Sequence, residues 1–234
     1  MDQRKDIEIR RNIVEKGLMA AKEYVKDNLR LFMYAGVALI AAIVLLVVGI
    51  IYYESRETAE LSRFEQALEG YRLFTNPDPG ERVKMLGNTV KELNAIIDNS
   101  YWGYVNRFGY YVIGGLYYGE KMYPEARKYF LLFAEKNPRS FFAPLGLQQA
   151  ARSSEYLGDF KESLKIYTEL EKKYGDSAVA DQILYDLGRI YQREGDIFKS
   201  REYYNKVISS FPRSQFAQKS KERLLLLGLS GGKG

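Results

Sequence analysis

The sequence predicts an all-α chain in which one N-terminal membrane-spanning helix leads into an α-solenoid. Three observations predict it. The 23 residues from Leu31 to Tyr53 carry no charge. Past residue 106, small, aromatic and turn residues recur at a step of 37. Between the turns, apolar residues return at i, i+3 and i+7, the spacing of one face of a helix rather than of a strand.

The first 30 residues form a basic, helix-like leader with Ile7, Val14, Leu18, Ala21 and Val25 at near-heptad spacing. Two readings stay open for it. It lies on an anionic leaflet with Lys16, Lys22, Lys26 and Arg30 reaching lipid phosphates, or it is a charged topology signal diluted by Asp2, Asp6, Glu8, Glu15, Glu23 and Asp27. Residues 31–53 are long enough to span a hydrocarbon core, which takes about 20 apolar residues in a helix. Phe32 and Tyr34 at one end and Tyr52 and Tyr53 at the other suit the two interfaces. A cleaved signal peptide would have a shorter apolar run and small residues after it, whereas YYESRE follows here. Residues 1–30 hold eight Lys and Arg, against three from Glu54 to Phe74. The positive-inside rule therefore keeps the N-terminus in the cytoplasm and the rest of the chain outside it.

Residues 54–106 read as a degenerate first unit and connector. Ala59 to Leu73 supplies one helix, Asn76-Pro77-Asp78-Pro79-Gly80 a strong turn signal, and Val83 to Ile97 a second helix through Leu86, Val90, Leu93 and Ile97. From 107 to 227 the step of 37 is explicit. It relates Pro138, Gly175 and Pro212; Ser140, Ser177 and Ser214; Ala143, Ala180 and Ala217; Ala126, Ser163 and Ser200; and Phe130, Tyr167 and Tyr204. The dipeptide Gly158-Asp159 returns as Gly195-Asp196. Each unit reads as helix, tight turn, helix. In the last, Leu184, Leu187 and Tyr191 stripe one helix, while Ser200, Tyr204 and Val207 stripe the other. Pro212 stops that helix and Ser214 is placed to cap the next. Neither stripe is buried unless neighbours stack. Gln215 to Leu227 reads as a cap helix, and residues 228–234 as a Gly/Ser-rich flexible tail.

These residues resemble the tetratricopeptide repeat family. Leu184, Leu187-Gly188, Tyr191, Ser200, Tyr204 and Pro212 follow its pattern. So do Tyr110, Ile113-Gly114, Tyr117, Ala126, Phe130 and Pro138, and, more loosely, Leu147, Ala150-Ala151, Ser154, Ser163, Tyr167 and Gly175. The resemblance implies about three clear 37-residue repeats, a degenerate first unit and a cap helix. It also implies a concave face lined by the first helix of each unit. Carried over residue by residue, that partner groove comprises Phe108, Tyr111, Tyr118, Gln148, Arg152, Glu155, Tyr156, Gln182, Tyr185, Arg189, Gln192 and Arg193. An aromatic end beside an Arg/Gln end suits an extended or helical peptide, and Arg suits carboxylates. For Phe108, Tyr111 and Tyr118, core packing or self-association stands beside the groove reading. Tyr110 and Tyr117 are read as core, and Trp102 falls outside the pattern.

Composition removes most chemistry. With no Cys and no His, disulfides, thiol nucleophiles, Cys or His metal sites and the usual neutral-pH general base are excluded. A net charge of +5, interspersed rather than run together, gives no basic stripe for nucleic acid. No phosphate-binding glycine motif occurs, and Gly114-Gly115 is read as a site of close helix packing. Neither catalysis nor a cofactor is expected, and the partners are proteins.

KEYVKDN before the span, YY at its end and ETAELSRFEQAL after it resemble the YfgM-like group of bacterial envelope proteins. NPRSFFA and FPRSQFA are similar to the P-x-S-x-x-A signature of exported BamD- and CpoB-type repeats. The first resemblance implies an inner-membrane protein with an extracytoplasmic repeat domain, ancillary to the SecYEG translocon and working with a periplasmic chaperone on exported proteins. The alternative is a scaffold subunit of an envelope machine for division, secretion or motility.

Overall fold

The computed structural model describes residues 3–75 and 78–230, with side chains from 15 to 75 and from 78 to 228. Among the described residues there are ten α-helices and no strand. The chain divides between Thr58 and Ala59 into two compact units.

The first unit holds α1 (Gln3–Asp27) and the N-terminal part of α2 (Leu29–Arg72). Asn28 interrupts the helices for one residue only. Its N–H donates to Tyr24 O and its carbonyl accepts from Phe32 N, both at 3.1 Å, so one backbone bond closes the end of α1 and another opens α2. The Tyr24 ring also meets Phe32 edge-on at 6.2 Å. α2 is 44 residues long, and its apolar stretch is long and apolar enough to cross a membrane.

The second unit holds the end of α2, then α3 (Pro79–Asp98), α4 (Gly103–Gly119), α5 (Tyr123–Lys136), α6 (Ala143–Tyr156), α7 (Phe160–Tyr174), α8 (Ala180–Arg193), α9 (Ile197–Ser210) and α10 (Gln215–Ser230). From α3 onward each helix packs on the next, and α10 also reaches α8. α10 continues to Ser230, past the Leu227 at which the cap helix was expected to end. The tail residues 231–234 lie outside the described residues, as do Asn76 and Pro77 of the expected turn. Asp78 beyond them caps α3, its Oδ1 accepting from Gly80 N at 2.7 Å and Glu81 N at 3.2 Å.

Burial follows the expected stripes. Phe64, Leu68 and Tyr71 of α2 enclose an apolar cluster with Leu86, Val90, Leu93 and Ile97 of α3 and with Val105 and Ile113 of α4. A second cluster runs from Ala126 and Phe130 through Leu147, Ala150, Ile166 and Tyr167 to Ile183, Leu187 and Ile190. Each fully buried Leu, Ile or Phe contributes about 1.5–3 kcal/mol, which an isolated helix hairpin could not collect. The recurring small residues have a steric cause. A Cβ on Gly188 would sit 2.7 Å from the Tyr204 ring, and one on Gly114 would sit 2.8 Å from Phe130, whereas Gly115 faces open space.

The dipeptide Gly-Asp is explained by the turns. Gly158 and Gly195 hold φ of +76° and +84°, a left-handed conformation that glycine adopts without a Cβ clash. Asp159 and Asp196 then cap α7 and α9, accepting from Glu162 N at 3.2 Å and Lys199 N at 3.0 Å. Ser214 caps α10 by accepting from Phe216 N at 2.9 Å, and its hydroxyl donates to Asp181.

Candidate functional site

Side chains of α6, α8 and α10, with Tyr118 of α4 and the first residue of α7, line a cleft of about 680 Å³. Eight of the twelve groove residues named from sequence line it: Tyr118, Arg152, Glu155, Tyr156, Gln182, Tyr185, Arg189 and Arg193. Phe160, Asp186, Phe216 and Lys219 complete the wall.

The floor is a charge network centred on Arg189. Its Nη1 and Nη2 donate to Glu155 at 2.5 and 2.7 Å, a two-pronged pair suited to a planar guanidinium. Its Nε and Nη2 also donate to Asp186 Oδ1 at 3.3 and 3.2 Å. Gln148 Nε2 donates to the other Asp186 oxygen at 3.0 Å, and Tyr167 OH donates to Glu155 at 3.0 Å. Burial raises the Asp186 carboxyl above the ordinary aspartate value, against the opposing pull of Arg189, Arg152 and Gln148. Burial also pushes the Tyr167 hydroxyl well up, reinforced by the negative charges of Asp186 and Glu155. Burial alone would lower Arg189, but the hydrogen bond and charge of Glu155 more than reverse that.

Both acids of the cleft are thus committed to Arg189, with Arg152 supplying the second positive charge that balances them, while the remaining cations stand at the walls. Arg152 approaches Asp186 only to 4.0 Å. Arg193 lies over the Phe160 ring at 4.3 Å and Lys219 over Phe216 at 4.9 Å, contacts that hold a cation without neutralising it. Tyr156 stacks on Tyr123 at 4.7 Å and meets Tyr118 edge-on at 5.7 Å, and Tyr185 stands 5.4 Å from Phe216. Burial and the adjacent Tyr156 push the Tyr118 hydroxyl up to about 12. The resulting surface is neutral and anchored at its floor, cationic and aromatic at its walls. It suits a peptide carrying carboxylates and apolar side chains.

The other four groove residues stand elsewhere. Gln148 is buried beneath Asp186. Gln192 accepts a hydrogen bond from Tyr204 OH at 3.1 Å and does not line the cleft. Tyr111 lies between Phe130 and Phe133, at 5.3 and 5.2 Å. Phe108 stacks with Tyr104 at 5.1 Å and meets Phe142 at 5.1 Å. Tyr110 and Tyr117 are half-buried against Tyr129, and Trp102 is exposed. Among the described residues no group of acids could hold a metal ion.

Residues 182–214, which take in most of α8, the turn and all of α9, match the family model described as tetratricopeptide repeat. That match supports the tetratricopeptide repeat family. No curated protein matches the chain. A tetratricopeptide domain points to a protein–protein interaction module.

The four wall residues missed from sequence lie outside the first-helix positions of the family pattern, but the step of 37 finds one of them: Lys219 follows Gln182. There an element beyond the expected helices contributes a side chain at an equivalent place.

Proposed function

We propose that this chain is a membrane-anchored tetratricopeptide module that holds segments of other proteins in the α6–α8–α10 cleft. α2 is the anchor, the leader is cytoplasmic, and the repeat domain stands on the extracytoplasmic side of a bacterial inner membrane. There it attends exported proteins near the translocon, together with a periplasmic chaperone. The observation that carries the binding role is the cleft itself. Its two acids are balanced internally by Arg189 and Arg152, leaving Arg193 and Lys219 among aromatic rings for a partner's carboxylates and apolar side chains. The charge asymmetry around the span supports the orientation.

One feature favours a scaffold in an envelope machine instead. Tyr101, Trp102, Phe141 and Phe142 are exposed outside the cleft, and aromatic rings of this kind are enriched where proteins meet stably. In-cell photo-crosslinking from Tyr156 and Arg193, both exposed at the cleft wall, separates the readings. Many exported proteins together with translocon subunits are the expected adducts. One partner at near-stoichiometric yield would replace the translocon reading with the scaffold. Adducts confined to soluble cytoplasmic proteins would overturn the orientation.

A further inference from the structure

Aromatic side chains gather at one end of the second unit, on the turns that lead into α4 and α6. Tyr101 and Trp102 precede α4, and Phe141 and Phe142 precede α6. Tyr101, Phe141 and Trp102 are 80%, 71% and 62% exposed. Tyr104 stacks on Phe108 and Phe108 meets Phe142, each at 5.1 Å, and Phe142 meets Phe141 at 5.5 Å. Four rings thus form one chain, with Tyr101 and Trp102 beside it at the start of α4. Both turns are held in place. Ser100 Oγ donates to Trp102 O at 3.0 Å and Asn106 Nδ2 to Ser100 O at 2.7 Å. Asn137 Nδ2 ties the second turn to α4 through Arg107 O at 3.1 Å.

Charge divides the second unit in the same direction. Around the rings, residues 99–108 and 133–144 hold three exposed cations, Arg107, Lys136 and Arg139, against the single acid Glu135. The turns at the opposite end, 120–122, 157–159 and 194–196, hold no aromatic residue. Their charged residues are Glu120, Asp159, Glu194 and Asp196 against Lys121.

We infer that the aromatic end rests on the bilayer that α2 crosses, its rings among the lipid headgroups and Arg107, Lys136 and Arg139 against anionic phosphates. Tyr104 shares a small cleft with Leu61 and Phe64 of α2. Leu61 follows Tyr53, the last residue of the apolar stretch, by eight residues. Eight residues reach no more than about 30 Å even when fully extended, so the patch stays near the surface whatever angle the two units take. A tether that short gives the bilayer a high effective concentration at the rings. Trp and Tyr favour the headgroup level, where an apolar ring and a polar tip are both satisfied. Cations close to an anionic leaflet are drawn to it, and the acidic turns at the other end are repelled.

The inference rests on α2 being the membrane anchor, which an alkaline wash of the vesicles tests separately. The chain contains one Trp, so the wild type carries its own probe. Full-length protein is reconstituted in vesicles of phosphatidylglycerol and phosphatidylcholine, with or without bromine on the acyl chains. Both leaflets carry the same lipids, so either orientation reports. Trp102 emission should be quenched by the brominated chains and shielded from iodide. Phe141→Ser, a change at an exposed ring, should lessen the quenching by bromine. Trp102→Phe combined with Leu157→Trp moves the probe to the opposite end on the same tether, where iodide should quench it and bromine should not. Trp102 open to iodide and indifferent to bromine, or equal quenching of the two probes, would overturn the docking. Equal quenching of Trp102 in vesicles of phosphatidylcholine alone would overturn the part given to the cations. A photo-crosslinker at Phe141 should capture lipid in native membranes, and capture of one protein instead would give the patch to a scaffold partner. Release by the alkaline wash would reject the anchor itself, whereas retention with Trp102 unquenched rejects the docking alone.

Discussion

The α4–α5 and α6–α7 pairs follow the same sequence step but treat one position in opposite ways. In α6–α7 the buried ring is Tyr167, whose hydroxyl donates to Glu155 at 3.0 Å and helps set that carboxylate for Arg189. In α8–α9 the equivalent Tyr204 donates to Gln192 at 3.1 Å. In α4–α5 the equivalent ring is Phe130, which has no hydroxyl. The residue facing it, Tyr118, turns its ring among Tyr123, Tyr156 and Phe130 instead. One oxygen atom in the core therefore separates a fixed polar floor from an aromatic wall. The lesson is that in stacked hairpins the chemistry of a binding face is partly set by residues buried beneath it.

The close approach shared by the outer two pairs is where the largest effect is expected. Gly188→Leu drives a side chain into the fully buried Tyr204 ring, only 2.7 Å from where a Cβ would stand. Overpacking of this kind costs about 1–3 kcal/mol, and a rigid ring at that distance calls for the upper end. Gly115→Leu is the matched control. Its Cβ meets nothing within 4 Å, and the exchange should be neutral or gain up to about 1 kcal/mol from helix propensity. Denaturant unfolding of the full-length protein in detergent, read by circular dichroism, checks both. Equal destabilisation by the two would break the comparison.

Tyr167→Phe makes the middle pair resemble the first. It should cost about 1.5–3 kcal/mol, the range for losing a hydrogen bond to a charged group, and should loosen Glu155 without disturbing the core. The same change at Tyr204 meets only a neutral amide and should cost about 0.5–1.5 kcal/mol. The difference between the two variants in the same unfolding assay sharpens the comparison, and equal costs would show that the charge network adds nothing.

Asp186 gives a pH signature to the middle of the cleft alone. Because burial raises its carboxyl, the folded chain holds the proton more tightly than the unfolded one. Stability must then fall as pH rises from the ordinary value of 3.8 toward the raised one, and level off above it. The stability of the wild type minus that of Asp186→Asn should show this downward slope. A flat difference across that window would remove the desolvation argument.

Most of the fold was legible because it is written in local periods. Leu184, Leu187 and Tyr204 are buried where their spacing placed them, and the Gly-Asp dipeptides at 158–159 and 195–196 each mark a left-handed turn followed by a cap. The cleft was legible only in outline. Gln148 occupies an expected concave position, yet it turns inward to a carboxylate 38 residues away on α8. Gln192 is drawn off by a tyrosine on the following helix. Periodicity says which face a residue stands on, but not which buried hydrogen bond competes for it. Phe216 and Lys219 were missed for a complementary reason: the cap helix was read as a solvating end, and it also walls the cleft.

The smallest prediction returns to the turns. The step of 37 that relates Gly158 to Gly195 leads back to Lys121. Lys121 holds φ of +61°, the same left-handed region without a glycine to occupy it. The side chain crowds the following carbonyl there, at a cost of roughly 1–2 kcal/mol. The next residue differs as well. Met122 offers α5 no side-chain cap, where Asp159 and Asp196 cap the later helices. Lys121→Gly should therefore stabilise the full-length protein by up to about 1 kcal/mol, since relief of crowding is partly offset by the greater freedom of glycine in the unfolded chain. Met122→Asp supplies the missing cap, worth about 0.5–2 kcal/mol, but removes a side chain packed against the α2–α3–α4 cluster, so its gain should fall below that of the cap alone. The two changes together would give α4–α5 the turn its neighbours already have, so their combined gain in unfolding free energy measures how much stability this first turn forgoes.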